Sequence, residues 1–242
     1  MDYSYIGSGK IYLKEVGASA GLVEIGNCSA LNFAVQEEVK EQRDYTSPGG
    51  GVLNEVRRIT GVEVSISLAE LSPDNLAKAL YGTTTAVVAG SAVAEAVTAY
   101  AGALSRLAHA TPTSVVVQDV TDTTTYVADT DYEVRPGGIF VLVGGAITDG
   151  DVLHVDYDYG AEDVVQALAS SAKEYLVCFE GLNEARSGKA MLIDAWRVKF
   201  GAASDLALIG DEFATLELTG KVLKDSTKLG GISQFFKATA VQ

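Results

Sequence analysis

Ser19 lies in Gly17-Ala18-Ser19-Ala20-Gly21, the spacing of a nucleophile elbow that thrusts a serine hydroxyl out of a sharp turn. That chemistry needs a helix directly after the serine and a positioned histidine. Leu22-Val23-Glu24-Ile25-Gly26-Asn27 reads instead as a short strand, so the pattern predicts a turn of small residues. Gly7-Ser8-Gly9-Lys10 matches the end of a phosphate-binding loop, but Ser4 stands where the first glycine belongs and Ile11 replaces the magnesium-holding hydroxyl. Asp149/Asp151 and Asp156/Asp158 offer the hard oxygens calcium takes, without EF-hand spacing; acids alternating along a strand predict a solvated face. Cys28 and Cys178 stand alone, forming neither a redox pair nor half a zinc site, and read as buried reduced thiols. His109 and His154 are the only histidines, and no residue set assembles an acid–base pair. The expectation is a protein that is not an enzyme, with no catalytic residue, no metal and no cofactor.

The elements around these residues read as strands. Ile11–Val16, Gly61–Leu68 and Glu212–Thr219 alternate apolar and polar side chains, which puts one face on a core and the other in water. Glu174–Glu180 and Met191–Phe200 are richer in β-branched and aromatic residues and read as central strands. One helix start is clear: Ser72 caps, Pro73 takes the first position, Asp74 complements the dipole, and Leu76, Ala77 and Leu80 share a face before Gly82. Residues 92–110 fit either a helix or paired strands.

The chain has 242 residues and a formal net charge of −14. Such acidity argues against a nucleic-acid binder of the usual kind, whose affinity comes from clustered Lys and Arg. No uncharged apolar run reaches membrane-spanning length and the first residues form no signal region, predicting a soluble protein without a membrane anchor, made in a cytoplasm. Between Thr111 and Asp163, eleven acids face Arg135 alone. This shift predicts an acidic β insertion module over 111–163 within a discontinuous β core of 1–110 and 164–242; the bland alternative is one domain with an acidic edge. Inside the module, Asp131–Arg135 and Ile139–Val143 read as a hairpin turning at Pro136-Gly137-Gly138, and Val152–Tyr159 as a strand with its acids and His154 on one face.

From Val35 to Thr60 the sequence is polar, with mixed charges and a Ser47-Pro48-Gly49-Gly50-Gly51 centre. It fits a hairpin arm with a flexible tip and too few apolar residues for a core of its own. One reading is a mobile surface loop. The other is an arm that docks on a neighbouring subunit through Arg43, Asp44, Tyr45, Thr46, Ser47, Pro48, Gly49, Gly50, Gly51, Val52, Arg57 and Arg58.

The order of early strand, long arm with Arg43-Asp44-Tyr45-Thr46-Ser47-Pro48-Gly49-Gly50-Gly51, strand Val62–Leu68, helix Ser72–Gly82 and closing strand Phe213–Val222 resembles the tail tube (major tail) protein of long-tailed bacteriophages. Asp131-Tyr132 through Asp149-Gly150-Asp151 and Val155–Tyr159 resembles a β repeat of phage tail proteins. The resemblance implies a β-sandwich or barrel core with a flanking helix, forming rings, usually hexameric, that stack into a tube. It implies a virion location and, as partners, copies of the same chain and the tape-measure, tail-terminator and distal tail proteins, with DNA only in transit through the lumen. On that reading the arm bridges stacked rings, the segments Met1–Lys10 and Gly230–Gln242 add inter-ring contacts, and the acidic module lies outside. A β-sandwich adhesion or decoration module on a virion or cell surface is the alternative.

Overall fold

The computed structural model describes residues 4–229 and 231–241. The chain divides into two compact units, one formed by the residues up to Thr83 with those from Val165, the other by Thr84–Val164. The first unit opens with β1 (Gly7–Glu15), β2 (Val23–Glu24), β3 (Cys28–Arg43), β4 (Val52–Leu68) and helix α1 (Pro73–Ala79). The middle of the chain forms β5 (Thr83–Val87), β6 (Gly90–Thr98), β7 (Leu104–Arg106), β8 (Thr113–Asp119), β9 (Tyr132–Arg135), β10 (Gly138–Val141), β11 (Val152–Tyr159) and β12 (Glu162–Gln166). The first unit then resumes with β13 (Glu174–Asn183), β14 (Lys189–Phe200), β15 (Leu216–Val222) and β16 (Phe236–Ala240). The protein is mainly β with one short α-helix, as the alternating segments predict.

In the first unit the strands form one antiparallel sheet in the order β2-β1-β13-β14-β15-β4-β3, with β16 also paired to β14. It ends at β2 and β3 and does not close into a barrel. The period-two residues Ile11, Leu13, Val64, Ile66, Leu68, Val177, Val198, Leu216 and Leu218 meet in one core. Each side chain as fully buried as Ile66 or Leu68 contributes roughly 1.5–3 kcal/mol.

Both ends of the chain are used inside this sheet. β1 pairs along β13 from Gly7↔Asn183 to Glu15↔Tyr175, and β16 lies against Met191–Ala195 of β14. The terminal segments read as inter-ring contacts thus supply strands to their own subunit; of those segments, Met1–Tyr3, Gly230 and Gln242 lie outside the described residues. The closing strand starts at Leu216 rather than at Glu212 or Phe213, because the residues before it meet no partner strand.

Helix α1 begins as its residues dictate: the Ser72 hydroxyl accepts a hydrogen bond from the Asn75 N–H at 3.3 Å, and Pro73 occupies the first turn. Its buried positions are Asn75, Ala77 and Ala79; of the expected face, Ala77 is buried, Leu76 packs half-buried on the core and Leu80 is half-buried. Asn75 is tolerated inside because its amide donates to the carbonyls of Ile25 at 2.8 Å and Glu70 at 3.2 Å.

The second unit has its own core of Ala99, Leu107, Val117, Tyr132, Ile139, Val141, Ile147, Leu153, Val155 and Tyr157. Two three-stranded sheets, β7-β10-β9 and β6-β11-β8, supply it. The boundary at Thr111 is therefore too late. β6 pairs with β11 from Gly90↔Tyr159 to Thr98↔Val152, so residues 92–110 are strands and belong with the acidic segment. Composition missed this because β6 itself is small and weakly charged.

Candidate assembly surface

β3 and β4 run together past the core and make the arm. Their pairing continues from Phe33↔Val64 through Val39↔Arg57 to Arg43↔Val52. Beyond Val35 the hairpin projects for about 25 Å at the usual rise per strand residue. Every residue from Ala34 to Thr60 is exposed except Asp44, which is half-buried. Both faces of this paired ribbon meet solvent, an arrangement that an isolated two-stranded hairpin sustains only marginally.

The registry shows which side chains share a face. β3 alternates without interruption from Ala30, so Val35, Glu37, Val39, Glu41 and Arg43 continue the core-facing row of Leu31 and Phe33. Extra residues in β4, Thr60 and Leu53, absorb the two register shifts, placing Ile59, Arg57 and Glu55 opposite that row. Val39 and Ile59 are 42% and 63% exposed, so the apolar row that builds the core continues past it uncovered.

The charges of the arm are only partly spent. Arg57 lies 2.5 Å from Glu55 and 3.6 Å from Glu37, and its guanidinium pKa is raised, chiefly by the hydrogen bond to Glu55. Lys40 sits 3.4 Å from Glu38. Such exposed pairs are screened by water and contribute little. The guanidiniums of Arg43 and Arg58 and the carboxylate of Glu41 have no hydrogen-bond or ion-pair partner among the described residues.

The tip closes as a hydrogen-bonded turn. Asp44 N–H donates to the Gly51 carbonyl at 2.8 Å, and one Asp44 carboxylate oxygen accepts from the Thr46 N–H at 2.8 Å and its hydroxyl at 2.5 Å. Those two bonds, the hydroxyl's first, hold the Asp44 carboxyl below its ordinary range. Gly49 takes a left-handed φ of +94°, and a Cβ on Gly50 would stand 2.4 Å from the Asp44 carbonyl oxygen. Tyr45 projects from the turn, 88% exposed. The structure thus brings the predicted residues Arg43 through Val52 together at one end, with Arg57 and Arg58 on opposite faces of the stem.

The residues singled out for catalysis do not converge. Ser19 lies in the turn between β1 and β2, with no helix after it. His154 Nδ1 is 2.7 Å from Asp122 on the exposed face of β11. His109 stacks on Tyr159 with ring centroids 3.6 Å apart and holds Glu162 at 2.7 Å, lowering that carboxyl's pKa. Burial pushes both cysteine thiols up to about 11, so they stay protonated.

The acids of the second unit are structural. Asp156 accepts the Ala94 N–H at 2.7 Å where Ala94 takes a positive φ of 51°, and Asp158 accepts the Ser91 hydroxyl at 2.5 Å. These bonds serve a ladder that the bulges in β11 pairing interrupt. Asp149 and Asp151 accept the Ala101 and Thr148 N–H groups, both at 2.9 Å. No group of three metal-binding side chains occurs among the described residues.

Residues 4–239 match the family described as "Protein of unknown function UCP028589". The chain belongs to that family. The match runs through both units and includes the whole arm, so this UCP028589 protein carries the arm and the acidic unit within one family-wide pattern. No curated protein matches the sequence. No helix among the described residues is long and apolar enough to cross a membrane.

A second exposed element of this UCP028589 chain is formed by residues 201–215, of which only Glu212–Thr215 carry a sequence expectation, as the start of a strand. They join β14 to β15 without strand or helix. Leu208, Ile209 and Phe213 stand out from them at 75%, 99% and 98% exposure. The available signal was the apolar run Leu206-Ala207-Leu208-Ile209 between Asp205 and Asp211-Glu212.

Proposed function

We propose that this protein is a structural subunit that assembles with copies of itself, and that it serves as a phage tail tube protein in the virion. The observation that carries the reading is the arm: a long paired hairpin that leaves its own core, keeps an apolar row uncovered and holds unpaired guanidiniums. The free outer edge of β3 supports it as well, since an exposed strand edge gains hydrogen bonds from a neighbouring sheet. Closed rotation pairs such edges around a ring, and repeated weak contacts between stacked rings then build a tube. In this role the chain is not an enzyme; its work is mechanical, to enclose the tape-measure protein and afterwards conduct DNA. The lining must then avoid clustered cations, which would hold phosphates.

Negative-stain electron microscopy of the purified protein across concentrations tests the proposal, with rings or hollow tubes expected and a strict monomer at high concentration counting against it. Deleting Asp44–Val52 removes the tip without touching the core. The shortened protein is expected to fold and to lose tube growth; normal polymerisation would reject the role given to the arm.

A further inference from the structure

Resting on the assembly reading above, we infer that the loop 204–215 of one subunit is the seat for the arm of the next. Three observations meet here. The first is placement. Leu216 pairs with Leu68 and Val222 with Val62, so the loop entering β15 lies at the α1 end of the sheet, while the arm leaves β4 beyond Val62 at the other end. The loop is tied to that end by the Ala203 N–H, which donates to the Ala79 carbonyl at 2.8 Å, and by Ala203 and Leu206 packing on the core. Nine residues of strand separate Leu68 from Ile59, about 30 Å. A loop pinned at both ends does not span that distance, so contact between loop and arm is intermolecular.

The second observation is apolar surface on both sides. Leu208, Ile209 and Phe213 form an exposed group rimmed by acids, and the limbs of the loop stand around an open hollow of about 640 Å³. Stretches longer than about 12–15 residues without secondary structure are uncommon unless functional. Val35, Val39 and Ile59 offer the arm's uncovered row to receive these side chains.

The third is charge. On the arm Arg43, at the outer end of the apolar row, is unpaired among the described residues, as are Glu41 on the same face and Arg58 on the opposite one. On the loop Asp205, Asp211 and Glu212 are unpaired among the described residues, with no cation beside them. An apolar row ending in an unpaired guanidinium and an apolar group rimmed by unpaired acids, at opposite ends of one sheet, make a head-to-tail contact, which propagates instead of closing a pair. This gives stacked rings a defined joint.

Cysteine pairs test the joint directly. In a Cys28→Ser, Cys178→Ser background, an Ile59→Cys protein is mixed with a Phe213→Cys protein under assembly conditions, oxidised mildly and resolved without reductant. Docking brings the two thiols together, so the mixed dimer is expected at about tenfold or more over a mixture of Ile59→Cys with Val88→Cys, an equally exposed control. Arg43→Glu is expected to weaken stacking, and a partner carrying Asp211→Lys to restore it. All these sites are exposed, and thermal unfolding matching the wild type verifies the fold. If tubes form but the mixed dimer stays at the control level, or the charge exchange restores nothing, the joint is wrong and self-assembly stands. If the wild type never assembles, the assembly reading falls and the joint with it.

Discussion

The acidic unit and the arm are both polar stretches by composition, yet the structure treats them oppositely. In the unit spanning Thr84–Val164, apolar residues converge on one core, and the eleven acids of residues 111–163, all but Asp129 and Asp163, bond within the unit. In the arm, apolar residues lie open on both strands and two guanidiniums have nothing to bind. One region binds nearly all of its acids internally. The other leaves charges of both signs unpaired among the described residues. Net charge alone is thus a poor guide to where a protein interacts: the −10 of the insertion is largely committed, whereas the near-neutral arm is not.

Mutations sharpen this contrast. Leu153→Ala, at a fully buried site in the second unit, is expected to cost about 2–5 kcal/mol of that unit's stability, measured by urea unfolding followed through tyrosine fluorescence. A cost near zero would mean that the unit lacks a specific core.

The next largest effect appears only in acid. The Thr121 hydroxyl, then the Thr124 and Thr123 N–H groups, hold Asp119 down to about 2, and the Ala146 and Val127 N–H groups lower Asp131. Because these folded-state values are depressed, the stability they confer is complete above the unfolded value of about 3.9 and is lost as pH falls towards about 2. Circular dichroism from pH 5 to pH 2 is therefore expected to show the second unit weakening, and Asp119→Asn to flatten that dependence. An unchanged profile would remove Asp119 from the argument.

Ile59→Ala is expected to change the stability of the isolated subunit least, within about 0.5 kcal/mol, because the side chain is 63% exposed and belongs to neither core. The same variant is expected to weaken assembly, measured by sedimentation. A large loss of subunit stability would show that the arm is covered from within.

Much of this was legible beforehand. Ser72-Pro73-Asp74 marked a helix start because capping is local, and Val62–Leu68 marked a strand because alternation is local. The arm was legible as a hairpin but its Asp44–Gly51 closure was not, since that bond depends on strands meeting in register. Residues 92–110 stayed ambiguous because β6 finds its partner in β11, about sixty residues away in sequence, and no local period encodes that pairing. The end of the apolar loop before Leu216 misled for the reverse reason: the alternation of Glu212–Thr215 promised a strand, and no neighbouring strand pairs with those residues.

The sequence by itself determined that the protein is mainly β with one capped helix, that its acids cluster in the middle of the chain, and that a polar hairpin interrupts the core strands. These follow from side-chain period, capping chemistry and charge, which need only neighbouring residues. Only the tertiary structure decided where the second unit begins, that its carboxylates hold loops and bulges together, and that arm and loop lie at opposite ends of one sheet. Those outcomes turn on which distant strands share hydrogen bonds and which side chains burial removes from water, and pairing over such separations is fixed by the folded whole.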